Sequence, residues 1–91
     1  MARMVNIGLG NSVNADKIVA VVSPEAAPIK RMVQNAKENG NCIDATLGRR
    51  TRSVIITEED FVILSGLQAD TINRRVNTDV FHDDKGDDNE A

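Results

Sequence analysis

Three short runs of this chain are apolar at every position: Ile18–Val22, Val54–Ile56 and Phe61–Leu64. A strand resting on one core alternates apolar with polar residues, whereas a strand apolar throughout needs cover on both faces. This requirement constrains the fold strongly, because 91 residues make one domain with few elements available as cover. One amphipathic helix is clear, since Ile29, Met32, Val33 and Ala36 recur at i, i+3, i+4 and i+7. Pro28 suits its first helical position, where a missing N–H does no harm, and Gly40 suits the left-handed residue that closes it. A second helix is expected from about Asp70 to Val76, with Asp70 as cap and Ile72 and Val76 on one face.

Around these lie further strand signals. Arg3–Ile7 alternates and then meets Gly8-Leu9-Gly10-Asn11, which reads as a plain turn because the dinucleotide fingerprint's third glycine and following helix are absent. Lys17 opens the Ile18–Val22 run. Asn41–Leu47 and Ser53–Thr57 flank a turn, and Glu58-Glu59-Asp60 is expected to join Ser53–Thr57 to an antiparallel Phe61–Ser65. The fold class is therefore α+β: a small antiparallel or mixed sheet of about five strands with two helices. Two short helices cannot cover both faces of such a sheet, and a domain this small buries only ~60% of its unfolded surface. Packing against further copies of the chain is the expected remedy, so a homo-oligomer is predicted.

Charge divides the chain at residue 78. Up to Thr78 there are ten basic residues against eight acidic ones, a mildly basic body. From Asp79 there are six acidic residues against Lys85 alone, so residues 79–91 form an acidic segment expected to be disordered, and residues 1–78 form the folded domain. The overall −3 thus says little about the partner. Cys42 is the sole cysteine and falls in a strand signal, which suits a buried thiol in a reducing compartment. No apolar run is long enough for a signal peptide or membrane span, so a cytoplasmic location is expected.

Gly48-Arg49-Arg50-Thr51-Arg52 lies between two strand signals and reads as a rigid hairpin tip. Three guanidiniums stand there without an acidic residue among them, and Thr51 adds a hydroxyl donor. Guanidinium forks fit phosphate or the edge of guanine bidentately. Edge-blunting charges are more often lysines of mixed company, so an anionic partner is the better reading. The chain has no Trp or Tyr, and its Phe residues fall in a strand signal (Phe61) and the acidic segment (Phe81), so base-stacking platforms for single strands are missing. Duplex DNA is the nucleic acid that remains. An oligomeric adaptor using the same turn on an acidic protein or RNA is the alternative.

Catalytic readings are weak. His82 is the only histidine and lies in the acidic segment, so neither a zinc site nor a Cys–His nucleophile can be assembled. Asp44 reads as an ion-pair or turn partner, and Glu58-Glu59-Asp60 as a solvated turn. No phosphate loop or acid–base pair is evident, so a non-enzymatic protein without cofactor or metal is expected.

The runs Asn6-Ile7-Gly8-Leu9-Gly10-Asn11, Val22 to Met32 (Val-Ser-Pro-Glu-Ala-Ala-Pro-Ile-Lys-Arg-Met), Ile43 to Arg52 (Ile-Asp-Ala-Thr-Leu-Gly-Arg-Arg-Thr-Arg) and Ile63-Leu64-Ser65 closely resemble the RemA family of small bacterial extracellular-matrix regulatory proteins. The resemblance spans roughly Val5 to Arg75. It implies a DNA-binding transcriptional regulator, activating biofilm-matrix genes in the characterised member, with a LytTR-like fold and subunits assembled into an octameric ring that carries DNA along its outside. It also implies that Lys17, Arg49 and Arg50 contact DNA, with Arg52 as a neighbour; Thr51 joins them as a hydroxyl donor on the reading of the turn itself. Lys17 stands where the family pattern has arginine, which keeps the charge but loses the bidentate fork. Pro28 matches a family proline important for function and reads as setting the helix start, and Gly48 reads as the structural glycine of the turn.

Overall fold

The computed structural model describes residues 3–77; the acidic segment expected from Asp79 lies outside the described residues. Six strands form two sheets. Strands β1 (Met4–Gly8) and β2 (Asn11–Asn14) make an antiparallel hairpin, followed by a 3₁₀ turn at Ala15–Lys17. Then come β3 (Ile18–Val22), α1 (Ala27–Asn39), β4 (Cys42–Asp44), β5 (Ser53–Thr57), β6 (Val62–Ser65) and α2 (Ala69–Asn77). The larger sheet has the order β3-β5-β6-β4, antiparallel except for β4 beside β6.

This order follows from the connections. A two-strand turn suffices for antiparallel neighbours, while parallel strands need a crossover. Here α1 is that crossover: it carries the chain from β3 at one edge to β4 at the other, and the β5–β6 hairpin fills the space between. The turn at Glu58-Glu59-Asp60 joins that hairpin as expected, with Asp60 in a left-handed conformation at φ 68°.

Both faces of the central strands are covered. On one face Val54, Val62 and Leu64 meet Ala36, Val33 and Ile29 of α1. On the other, Ile55 and Ile63 meet Ile72 of α2 together with Ile7 and Val13 of the β1–β2 hairpin. Cover for the second face therefore comes from a hairpin as well as a helix, which the sequence-based argument for oligomerisation left out. At the two edges of the larger sheet, Val19 on β3 and Ile43 on β4 stay exposed.

Several local expectations are corrected. Asn11–Asn14 is a strand although it has only one apolar residue, because its partner β1 supplies the pairing. Lys17 ends the 3₁₀ turn instead of opening β3, and the turn is capped by Asn14, whose Oδ1 accepts from the Asp16 N–H at 3.0 Å. Ala27 takes the first position of α1 with Pro28 second, still within the turn whose N–H groups lack helical partners. Gly40 closes α1 at φ 77° as expected. Asp70 lies inside the first turn of α2, where its charge still favours the helix N-terminus.

Candidate nucleic-acid interface

The segment carrying the arginines is not a hairpin tip. Because β6 lies between β4 and β5, residues 45–52 form a loop that crosses over the end of β6. Both ends of the loop are tied to that strand. The Ala45 N–H donates to the Leu64 carbonyl at 2.9 Å, and the Arg52 N–H donates to the Ser65 carbonyl at 2.9 Å. Rigidity thus comes from two anchors on a central strand, not from hairpin pairing.

Inside the loop, Asp44 Oδ1 accepts from the Thr46 N–H at 2.9 Å and from the Thr46 hydroxyl. Those two bonds hold the Asp44 carboxyl below the usual carboxylate range, the Thr46 hydroxyl contributing most and the N–H next. Thr46 is buried, and its carbonyl accepts from the Arg49 N–H at 3.0 Å, which closes a tight turn through Leu47 and Gly48. Both central residues of this turn have positive φ, 52° and 83°. Gly48 takes that conformation without steric cost.

Arg49, Arg50 and Arg52 all project from the loop and are exposed, while Thr51 is half-buried. The side chains of Arg49 and Arg52 have no hydrogen-bond or ion-pair partner among the described residues. Arg50 Nη2 stands 3.8 Å from Glu25 Oε2, a loose pair between two largely exposed groups. Thr51 turns the other way. It lines a groove of about 290 Å³ with Lys30, Gln34 and Lys37 of α1, floored by Val54 and Leu64. Lys30 and Lys37 are seven residues apart, two turns on one face of a helix, and that spacing was the available sign that they face the same groove.

Lys17 is not part of this cluster. It precedes β3, whose Ile18 pairs with Thr57 at the far end of β5, whereas the arginine loop enters β5 at Ser53 beside the Val22 end of β3. At ~3.4 Å per residue, the five steps from Lys17 to Val22 place it roughly 17 Å from the loop. Its ammonium already faces Glu59 at 3.5 Å and Glu58 at 3.8 Å. Pro28 is exposed in the first turn of α1, with neither Pro28 nor Gly48 contributing a polar side chain.

Other chemistry is sparse. Cys42 is only half-buried, and desolvation, the largest influence on it, pushes its thiol up, away from the reactive thiolate. Among the described residues no group of three or more His, Cys, Asp or Glu side chains could hold a metal ion. None of the described helices is long and apolar enough to cross a membrane.

The sequence profile described as "RemA-like: Extracellular matrix regulatory protein A-like" matches residues 4–76, which include every element above except the end of α2. A protein of Acetivibrio thermocellus named "Putative regulatory protein" is 53% identical over 88 residues, 97% of this chain and 95% of the relative. One of the same name from Natranaerobius thermophilus is 55% identical over 83 residues, 91% and 93% of the two chains. Another from Alkaliphilus metalliredigens is 57% identical over 76 residues, covering 84% and 82%. With a match across the whole folded region and relatives above half identity along nearly their full length, the chain belongs to the RemA-like family.

Proposed function

We propose that the protein is an oligomeric regulator that binds duplex DNA through the loop at residues 45–52, presented repeatedly around a ring. The observation that carries this reading is the arginine cluster itself: three exposed guanidiniums within four residues, two of them without an intramolecular partner among the described residues, on a loop pinned at both ends. Pinning removes much of the ordering cost that a flexible basic tail would meet on binding. The regulatory names of the relatives point the same way, and the family's matrix-regulatory description suggests extracellular-matrix genes as the target.

Repetition is needed because one loop is weak. Neutralising ~3 phosphates gives a salt slope of only about −2.7, whereas several loops engaging one duplex add contacts at high effective concentration. Support for repetition comes from the sheet edges. Exposed Val19 on β3 and exposed Ile43 on β4 lie on opposite edges, the arrangement that suits head-to-tail contacts closing into a ring. Sequence selectivity is then low, and duplex curvature or groove width is read more than individual bases.

Arg49→Ala tests the reading. It is expected to abolish binding to a long duplex while oligomer mass by light scattering stays unchanged. Wild-type duplex binding by that variant across a salt series would refute it. Preferential retention on RNA or an acidic polypeptide at matched salt would instead reassign the loop to a different partner.

A further inference from the structure

Leu47 sits at the apex of the arginine loop, in the first central position of a turn whose two central residues both have positive φ. That backbone favours Asn-Gly, because asparagine tolerates the left-handed region and leucine is strained in it. The side chain is also 73% exposed, so it gains almost no packing within the subunit. Leu47 therefore goes against both its backbone preference and its burial preference, and nothing among the described residues compensates. Such conflicts concentrate where a residue is kept for a contact made outside the chain.

Its surroundings indicate which contact. Arg49, Arg50 and Arg52 follow within five residues, so the apolar apex is flanked by groups that grip phosphate. The neighbouring turn repeats the pattern. Leu9 is at φ 56° and 42% exposed between Gly8 and Gly10, and that hairpin is held to the loop by Asn11 Nδ2 donating to the Ala45 carbonyl at 3.5 Å. Phosphates border a groove, and the space between them is lined by deoxyribose faces and base edges. Proteins that enter the minor groove combine arginines with apolar side chains for this reason, and its ~6 Å width admits one side chain.

We propose that Leu47 is the apolar contact of the DNA surface, entering the minor groove between the phosphate rows that the arginines hold. The inference rests on the DNA-binding function proposed above. It assigns to Leu47 the part of the binding that salt does not weaken.

Leu47→Gly separates this role from a structural one, because it relieves the backbone while deleting the contact. The variant should melt at a higher temperature, keep its oligomer mass, and bind a long mixed-sequence duplex about tenfold more weakly at every salt concentration. The slope of log affinity against log salt should be unchanged, since no phosphate contact is lost. Leu47→Met, which keeps an apolar side chain, should restore affinity. Wild-type affinity in Leu47→Gly overturns the inference, as does a shallower salt slope. Loss of oligomer mass also overturns it, by placing Leu47 between subunits. If Leu47→Gly is without effect while Arg49→Ala abolishes binding, only this inference fails; if Arg49→Ala also binds normally, the DNA-binding function fails with it.

Discussion

Lys17 and Arg52 stand at opposite ends of the same antiparallel strand pair, Lys17 just before β3 and Arg52 just before β5. A single subunit cannot bring both to one short stretch of backbone. Groups more than about 10 Å apart with no shared partner act independently. The Lys17→Ala and Arg52→Ala losses in duplex affinity should therefore add in the double variant to within roughly 0.5 kcal/mol, as read from salt-matched titrations. Marked non-additivity would mean that the two ends meet across a subunit boundary at one DNA segment.

Glu25 lies 3.8 Å from Arg50, so under the proposed function it would compete with phosphate for that guanidinium. Glu25→Gln removes the competitor and leaves a neutral amide in its place. Duplex affinity should rise a few-fold at low salt, on the order of two- to fivefold, and the gain should shrink as the Debye length falls to about 3 Å near 1 M salt. Thermal stability should barely change, because exposed pairs contribute little. Weaker DNA binding in Glu25→Gln would show that the pair orients Arg50 and does not mask it.

Asp44 gives the loop a dependence on pH. Its carboxyl is held below its ordinary value by the Thr46 hydroxyl and N–H, so its contribution to stability is fully present above the unfolded carboxylate value of about 3.9. The contribution is lost as pH falls through the lower, folded value. Asp44→Ala should cost roughly 1 kcal/mol at neutral pH, and its deficit relative to wild type should shrink under acid. Asp44→Asn keeps one acceptor oxygen and should lose less. Parallel wild-type and Asp44→Ala stability profiles between pH 2 and 6 would count against this account.

Ser53 is fully buried at the start of β5, and its Oγ has no hydrogen-bond partner among the described residues. An unpaired buried hydroxyl carries a desolvation cost without return. Ser53→Ala should raise the melting temperature by a few degrees, about 4–8 °C per kcal/mol for a domain of this size. A drop would indicate that the hydroxyl is satisfied by water or by another subunit.

Much of the fold could be read from pattern alone. The Ile29–Ala36 stripe, Gly40, and the paired runs around Glu58-Glu59-Asp60 each reappear as α1, its C-cap and the β5–β6 hairpin. The failures have physical causes. Asn41–Leu47 and Ser53–Thr57 look like hairpin partners because they are separated by a short turn signal. Their register is set by β6, which inserts between them, and no local signal encodes that. Asn11–Asn14 is too polar to announce a strand. Of the candidate site, the arginines were legible because their density is local. The distance from Lys17 to them depends on strand direction, and the grouping of Lys30 and Lys37 with Thr51 depends on how α1 packs.

The loop's two anchors, at Leu64 and Ser65, have a consequence for the order of folding. Both carbonyls lie near the end of β6, which is itself held between β4 and β5. A nascent chain released short of Ser65 would already contain all three arginines but could not hold them in place. The loop is thus fixed only in a subunit whose four-stranded sheet has formed, and a partly folded copy would carry the same arginines without holding them.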